Sequence, residues 1–147
     1  MRAFPAGVAV LTIDLEGERL GLTVGSLVSL SLEPPLVGVA ISRQAAMQEL
    51  LRRAGAFTLS LLAGDQEELA KHFARGVPPF AHWLGIALRP GLSGAPMLAD
   101  ALGWIECWAW AEYDAGDHTL FVGEVIAAEV GRDAPALAYV GGQYRSL

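Results

Sequence analysis

Short apolar runs separated by turn residues make up most of this 147-residue chain. Residues 8–13 (VAVLTI), 36–42 (LVGVAIS) and 57–62 (FTLSLL) are rich in β-branched and other apolar residues, and each predicts a β-strand. Residues 20–32 form a longer extended segment with small polar residues at intervals, ended by Pro34 and Pro35. Three of these segments, residues 8–13, 20–32 and 36–42, follow one another through short turns. We therefore expect them to form a meander.

A β-hairpin is predicted near the C-terminus, with strands at residues 103–113 and 119–130 joined across the turn DAGD. The first strand alternates strongly. One face carries Trp104, Glu106, Trp108, Trp110 and Glu112, and the other carries Ile105, Cys107, Ala109, Ala111 and Tyr113. Since neither face is purely polar, we expect both faces to contact other protein.

Two short segments predict helices. Residues 45–54 combine helix formers with an apolar stripe, and Gly55 ends the pattern. Residues 65–73 begin at Asp65, a candidate N-cap, and Glu68 follows at the spacing of a capping box. Gly76, Pro78 and Pro79 break this second helix.

An irregular stretch rich in Pro and Gly runs from residue 77 to residue 98. A loop of this length inside a compact domain is usually functional or covers another part of the protein. The remaining pattern of six to eight short strands and two helices predicts one domain over residues 1–147. Its expected fold is mainly β, a closed, Greek-key-like antiparallel barrel with two short flanking helices; an open sandwich is the alternative.

Composition narrows the class of protein. Hydrophobic residues make up 53% of the chain and charged residues 18%, so we expect part of the apolar surface to lie in a subunit interface. A net charge of −6 without a basic stripe excludes nucleic acid as a partner. No apolar stretch has the length of a membrane span, and no signal peptide opens the sequence, so a cytoplasmic location is expected.

The titratable residues give few candidates for a metal or a nucleophile. Cys107 is the only cysteine and lies in a predicted strand, which favours a buried, inert thiol. The three histidines have no further ligands at metal-binding spacing, so we expect no metal site. His118 follows the hairpin turn, where it either closes the turn or exchanges protons beside a reacting group.

Three other segments could bind a ligand. Residues 21–35 place hydroxyls along an extended segment with Gly21 and Gly25 between them, which suits a phosphate or a planar heterocycle; an edge strand facing water is the alternative. Residues 41–47 run from a strand into a helix, and Arg43 lies at that helix N-terminus, a potential anion site or an ordinary turn. Residues 141–147 (GGQYRSL) are either a frayed tail or a segment folded over a pocket.

The order of these motifs resembles the flavin reductase family, the small NAD(P)H:flavin oxidoreductases that serve two-component flavin monooxygenases. The resemblance runs through FPAGVAVLTI, GLTVGSLVSLSLEPPLVGVAI, FTLSLLAGDQEELAKHFA, GDHTLFVGEV and GGQY, nearly the whole chain. It implies an FMN-binding split β-barrel that forms a homodimer with flavin near the subunit interface. It also implies FMN or FAD as cofactor, NADH or NADPH as hydride donor, and a monooxygenase as a partner.

The resemblance also implies roles for individual residues. The isoalloxazine ring is wrapped, largely by backbone groups, at Thr23, Val24, Gly25, Ser26, Leu27, Ser29 and Leu30. The ribityl phosphate is held at Gln44, Ala45 and Met47, with Arg43 or Arg75 supplying charge, and Phe73 and Ala74 close the far side. His118, the expected catalytic residue, and Tyr144 approach the nicotinamide.

Hydride transfer requires the nicotinamide and flavin rings to be stacked, so positioning is the main task expected of these residues. The first alternative is a non-catalytic FMN-binding electron carrier on the same barrel, which needs no nicotinamide site. A pyridoxamine-phosphate-oxidase-like enzyme would carry more basic residues than this chain has. A carrier barrel without a cofactor would be colourless.

Overall fold

The computed structural model describes residues 1–75 and 82–147. Within those residues the chain forms twelve strands and two helices. The strands are β1 Ala6–Gly7, β2 Ala9–Leu15, β3 Glu18–Val24, β4 Val28–Leu32, β5 Pro35–Ser42, β6 Ala56–Leu61, β7 Leu88–Arg89, β8 Met97–Leu98, β9 Gly103–Ala115, β10 His118–Val130, β11 Leu137–Val140 and β12 Gln143–Ser146. The helices are α1 Met47–Ala54 and α2 Glu67–Ala74. The predicted mainly-β fold with two short helices is confirmed.

Seven antiparallel strands form the main sheet, in the order β3-β2-β6-β9-β10-β5-β4. Its inner face holds the larger core cluster, which includes Leu11, Val39, Leu51, Phe57 and Phe121. A second sheet has the order β1-β11-β12, and β7 pairs with β8. The second sheet joins the first through backbone hydrogen bonds between Val8, Leu62 and Leu137, each 3.0 Å long.

The connection between β3 and β4 shows that the main sheet is rolled. These two strands are the opposite edges of the sheet, yet only residues 25–27 separate them in the chain. Four Cα–Cα steps of 3.8 Å reach at most about 15 Å, so the two edges must face each other. No backbone ladder joins β3 to β4, and the complete closure predicted from the sequence therefore stays a prediction.

The predicted meander is wrong in its second half. The extended segment at residues 20–32 splits into β3, which pairs with β2, and β4, which pairs with β5. The segment between β3 and β4 is held against β5 by the Ser26 hydroxyl. Its Oγ accepts from the Ala40 N–H at 3.0 Å and donates to the Ala40 carbonyl at 2.9 Å. An uninterrupted apolar and hydroxyl pattern carries no signal for such a change of sheet edge.

The helices form where the sequence predicts them, with one wrong detail. Helix α1 ends at Gly55, whose φ of 70° is the left-handed C-cap conformation that glycine adopts without strain. Helix α2 begins after Gln66, and no side chain caps it, so Asp65 is not the N-cap and no capping box forms. The carboxylate of Asp65 is engaged instead by the guanidinium of Arg132.

The hairpin of β9 and β10 turns later than predicted. Ala115 pairs with His118, so the turn consists of Gly116 and Asp117, with Gly116 at a φ of 68°. Only the first of the two turn residues has positive φ, as in a type II′ turn. The register shifts between Val122 and Gly123, which leaves Trp110 unpaired in a β-bulge.

Residues 76–81 lie outside the described residues; they hold the predicted helix breakers Gly76, Pro78 and Pro79 and the first part of the predicted loop. Its later part, residues 88–98, is here named the covering segment. It is pinned to the outer face of the main sheet: Thr12 Oγ1 donates to the Pro96 carbonyl at 2.6 Å, and Leu98 N–H donates to Ser60 Oγ at 3.1 Å. The expectation that this loop covers other protein is confirmed for the part that the structure describes.

None of the helices in the described ranges 1–75 and 82–147 is both long and apolar enough to cross a membrane.

Candidate functional site

A cleft of about 1430 Å3 lies between the end of β3, helix α2, the N-terminus and strand β12. We name it the large cleft. Of the residues predicted to bind cofactor or nicotinamide, it gathers seven, namely Thr23, Val24, Gly25, Ser26, Ala74, Arg75 and Tyr144. These residues come from three distant parts of the chain, so the fold itself brings together what the sequence resemblance implied.

The hydroxyls at the end of β3 fix the shape of the cleft wall. Thr23 Oγ1 donates to the Ala70 carbonyl of α2 at 2.6 Å, and Ser26 Oγ is bonded to Ala40 as described above. Both hydroxyl protons are therefore already committed inside the protein. The sequence pattern predicted that hydroxyls and bare N–H groups together contact a ligand, whereas at these two positions the hydroxyl protons bond to the protein itself.

Backbone donors take the place of those hydroxyls. Residues 25–27 lie between two strands, and their three N–H groups make no hydrogen bond with any residue in the described part of the chain. Gly25 is exposed, and both Gly25 and Ser26 line the large cleft. Such consecutive unpaired N–H groups suit the nitrogen and oxygen acceptors at the edge of a planar heterocycle.

Helix α2 gives the large cleft a basic rim. Lys71 and Arg75 line it together with Ala74. The pKa of the Lys71 ammonium is raised because Glu67 and Glu68 lie 2.8 and 3.0 Å away. Arg75 forms no ion pair within the described residues, which leaves its charge available to an anion.

Phe73 does not lie at the surface of the cleft as predicted. Its side chain is buried in the second core cluster, where its ring meets those of His82 and Trp83 at centroid distances of 4.8 and 5.2 Å. A Cβ added to Gly21 would lie 2.6 Å from Phe73 Cδ1. Phe73 thus supports β3 from beneath, and the sequence pattern missed this because a core aromatic and a ligand-contacting aromatic occupy the same helical position.

The C-terminal strand folds over the large cleft. Of the two alternatives for residues 141–147, a frayed tail or a segment folded over a pocket, the structure shows the second. Tyr144 on β12 is half-buried, and its ring meets that of Tyr139 edge to face at 5.0 Å. Burial, with the nearby Tyr139, raises the pKa of the Tyr144 phenol. Arg2 also lines this wall and donates to the Gly141 carbonyl at 3.4 Å.

His118 lies outside the lining of the large cleft. It begins β10 and pairs with Ser42, the last residue of β5. Its Nδ1 is 2.7 Å from Asp117 Oδ1, and this hydrogen bond lowers the pKa of the Asp117 carboxyl. Because a carboxylate only accepts, Nδ1 carries the proton and Nε2 is left for an external partner.

Strand β5 connects His118 to the large cleft. Ser26 is bonded to Ala40, and Ala40 precedes the His118 partner Ser42 by two residues. Two strand residues span about 7 Å, so the two groups of predicted residues lie on either side of one strand end.

The predicted phosphate residues lie beside His118 at the start of α1. Arg43 donates its backbone N–H to the Asp117 carbonyl at 2.9 Å, and its guanidinium pairs with Asp114. Gln44 is exposed, Ala45 is half-buried and Met47 is buried in the core. No side chain caps the helix at Ala46, but the Gln48 N–H already donates to the Ala45 carbonyl at 3.2 Å, which leaves the Met47 N–H to meet an anion.

The remaining predicted contacts lie along β4 and before it. Ser29 and Leu30 are exposed on β4, and Leu27 is half-buried against the core. None of these three lines the large cleft. Within the described residues, no group of three or more His, Cys, Asp or Glu side chains is placed to hold a metal ion.

Comparison with known proteins identifies the family. The family model "Flavin reductase like domain" matches residues 1–147. The chain is 42% identical over 144 residues to the reductase component of 4-hydroxyphenylacetate 3-monooxygenase of Thermus thermophilus, covering 98% of this chain and 90% of that protein. The chain belongs to the flavin reductase family. The predicted family and the predicted enzyme class are thereby confirmed.

Solved structures of other flavin reductases have the same fold. BorF, the flavin reductase component of a bacterial two-component tryptophan halogenase, superposes with a TM-score of 0.94 at 38% identity, covering 99% of this chain and 92% of that one. The Streptomyces globisporus NADH:FAD oxidoreductase SgcE6, in complex with NAD and FAD fragments, gives a TM-score of 0.93 at 36% identity. The match covers 99% of this chain and 87% of that one.

Sequence reasoning missed the N-terminal contribution to this flavin reductase. Arg2 and Phe4 line the large cleft, although neither was predicted as a site residue. The N-terminus reaches the cleft because Ala6 and Gly7 pair with β11, the strand that leads into the predicted C-terminal segment. That pairing depends on a separation of more than 130 residues, which local periodicity does not encode.

Proposed function

We propose that this protein transfers hydride from NADH or NADPH to FMN or FAD and supplies reduced flavin to a partner monooxygenase. Membership of the flavin reductase family supports the reaction, and the relatives described above are NADH:FAD or monooxygenase-linked reductases. The observation that carries the proposal is the run of unpaired backbone N–H groups at residues 25–27 beside the large cleft.

The residues of the large cleft fit a flavin nucleotide. A volume of about 1430 Å3 has room for both a flavin and a nicotinamide ring. Free N–H groups at residues 25–27 match the acceptor edge of the isoalloxazine, and Arg2, Lys71 and Arg75 match anionic phosphates. The bound flavin would supply the two-electron chemistry, and the protein supplies position and electrostatics.

The residues of this chain act on the reaction by holding the two rings in place. Residues 25–27 donate hydrogen bonds toward the edge of the ring where negative charge grows, which stabilises the reduced state. Tyr144 forms the opposite wall and excludes water from the ring face. His118 orients the nicotinamide carboxamide through Nε2, which accepts an N–H when the imidazole is neutral and donates when it is protonated.

The phosphate is proposed to lie at the uncapped N-terminus of α1. Met47 offers its backbone N–H there, and the helix dipole favours an anion. The N–H groups of Gln44 and Ala45 already donate to the hydroxyl and the carbonyl of Ser42, at 3.3 and 3.0 Å. The guanidinium of Arg43 is held by Asp114, so its charge contributes less than the sequence implied. Arg75, in the lining of the large cleft, is the free cation for the other phosphate groups of the ligands.

We further propose that the protein is a homodimer in which each rolled sheet is a split β-barrel. The support is an exposed set of large apolar side chains on the main sheet. These are Val28, Leu30, Leu32, Trp108, Trp110 and Tyr113. An exposed group of this kind is typical of a subunit interface, and β4 would bring Ser29 and Leu30 to it. The cytoplasmic location and the single-domain extent stay predictions.

Anaerobic mixing tests the proposed reaction. The protein is combined with FMN or FAD and then with NADH or NADPH under nitrogen, while the flavin and nicotinamide absorbance bands are followed. We expect both bands to fall together, with one nicotinamide consumed for each flavin. A protein that binds flavin but consumes neither nicotinamide would be the electron carrier instead, and the reductase proposal would be wrong.

A further inference from the structure

A second cleft differs from the first because the charged residues in its lining are acidic. It has a volume of about 490 Å3 and is lined by Leu92, Met97, Trp104, Glu106, Ala128 and Glu129, among others. We name it the small cleft. It lies between the covering segment and the outer face of β9 and β10, and it shares no lining residue with the large cleft.

The base of the small cleft holds a buried carboxylate. Glu106 is only 5% exposed. Its Oε1 accepts the Ser93 N–H at 2.9 Å, while Oε2 has no hydrogen bond to any residue in the described ranges. Oε2 retains some solvent exposure, and Glu106 lines the small cleft, so the carboxylate faces the open space of this cleft.

Within the described residues, no ion pair balances this carboxylate. Arg89 contacts two residues of the cleft lining, since its guanidinium is 2.9 Å from Glu129 Oε1 and 4.3 Å from the centre of the Trp104 ring. Glu106 itself forms no ion pair within residues 1–75 and 82–147. A buried carboxylate without a partner is costly, so a cation that enters the cleft gains a strong, partly desolvated interaction.

The surroundings hold Glu106 in this position. A Cβ on Gly91 would overlap Glu106 Oε1, so only glycine permits the covering segment to approach so closely. Trp104 Nε1 donates to the Leu98 carbonyl at 2.8 Å, and Thr58 Oγ1 is bonded to Ser93 Oγ at 2.8 Å. The carboxylate therefore sits in a rigid, preformed site.

We propose that the small cleft binds a small organic cation, a protonated amine with an apolar body, at a site separate from the flavin-binding cleft. The ammonium group would meet Glu106 Oε2, and the body would pack against Leu92, Met97 and Ala128. The volume falls in the range of small-molecule sites, and the lining combines apolar walls with one convergent charge.

Calorimetric titration tests this proposal on the full-length protein. Benzylamine, a cation at pH 7, is compared with benzyl alcohol, a neutral molecule of the same shape. We expect saturable binding of benzylamine that weakens by about tenfold or more in Glu106→Gln, whose amide oxygen still accepts from Ser93. Glu112→Gln is the matched control, since Glu112 lies on the same strand but pairs with Arg52 outside the cleft.

Two further titrations, one with the Ala128→Leu variant and one in the presence of FMN, test the location of the site. Ala128→Leu leaves the carboxylate in place and narrows the cleft, so it should also weaken benzylamine binding, even if Glu106→Gln folds poorly. Saturating FMN should leave the benzylamine titration unchanged. Equal binding to wild type and Ala128→Leu, equal binding of benzyl alcohol, displacement by FMN or no saturable binding would each overturn the proposal. All of these results are independent of flavin reduction.

Discussion

The two clefts of this flavin reductase carry opposite charges. The lining of the large cleft has three cations, Arg2, Lys71 and Arg75, against one carboxylate, Glu67, with unpaired N–H groups beside them. The small cleft has a buried carboxylate, Glu106, at its base and Glu129 at its edge. The chain as a whole has a net charge of −6. Net charge therefore says little about either site, because each ligand interacts with the groups within its own cleft.

The clefts also differ in how the chain builds them. The large cleft joins both termini to α2 and the end of β3, and many of its walls are only half-buried. The small cleft lies under one covering segment that is fastened by the fully buried hydroxyls of Thr12, Thr58 and Ser60. We infer that the large cleft can adapt to two stacked ligands, whereas the small cleft is fixed in shape.

The packing of Phe73 against β3, beneath the large cleft, should be the most sensitive point in this comparison. Gly21→Ala places a methyl group 2.6 Å from Phe73, which is held by His82 and Trp83. We expect the free energy of unfolding to fall by about 1–3 kcal/mol and flavin affinity to fall with it. Urea titration and flavin binding measure both.

Gly7→Ala is the control for Gly21→Ala, since a Cβ there meets nothing within 4 Å. We expect its free energy of unfolding to stay within about 0.5 kcal/mol of wild type. Equal stability of the two variants would contradict the packing described for Phe73.

His118 is expected to affect the nicotinamide and not the flavin. In His118→Ala, kcat/KM for NADH should fall about tenfold or more, with flavin affinity nearly unchanged, because the lost contact orients only the carboxamide. Asp117→Asn should produce a smaller loss, since it weakens only the hydrogen bond that fixes Nδ1. Steady-state kinetics in both nicotinamide and flavin measure this, and unchanged NADH kinetics in His118→Ala would remove the proposed role.

Charge reversal at Arg75 tests whether positive charge in the lining of the large cleft attracts the ligand. Arg75→Glu should weaken phosphate-bearing ligands about fivefold to tenfold at low ionic strength, and the loss should shrink as salt is added. Arg53→Glu changes the same residue type at an exposed position outside the cleft, so ligand affinity should stay at the wild-type value. Similar losses in both variants would mean that overall charge, not the rim, attracts the ligand.

The pKa of the buried Cys107 thiol is expected to depend in part on the charge of Glu106 in the small cleft. Burial, and then the negative charge of the adjacent Glu106, raises the pKa of the Cys107 thiol from 9.0 to about 12. Above pH 9 the unfolded chain loses its thiol proton and the folded chain keeps it. The contribution of Cys107 to stability is thus complete below pH 9.0 and is lost by about pH 12.

Alkylation by iodoacetamide measures the state of Cys107. At pH 8 the native protein should not react while the urea-unfolded chain does. In Glu106→Gln the thiol pKa should shift downward slightly, because only the smaller of its two causes is removed. Rapid alkylation of the native protein at pH 8 would contradict this burial.

Local patterns in the sequence predicted most elements of the fold. The apolar runs gave β2, β5 and β6 within two residues of their ends, and Gly55 correctly ended α1. The change of sheet edge at Ser26 was missed, because it depends on a hydrogen bond to Ala40 across the fold. Asp65 was assigned to a cap because its spacing fits one, but its pairing with Arg132, distant in sequence, prevails.

The candidate site was predictable in its members and less so in their roles. Thr23 and Ser26 were expected at the cleft and lie there, yet their hydroxyls bond to the protein itself. Phe73 has the right sequence position and a buried side chain. Glu106 was noted among the tryptophans of β9, but its burial depends on the covering segment and could not be inferred from alternation alone.

Hydrogen–deuterium exchange with and without FMN tests most directly the claim that residues 25–27 hold the flavin. These amides lack hydrogen-bond partners within the described chain, so they should exchange rapidly in the free protein and slowly when FMN is bound. The account predicts protection at residues 25–27 with no change at residues 91–98 of the covering segment. Unchanged exchange at residues 25–27, or protection confined to residues 91–98, would contradict it.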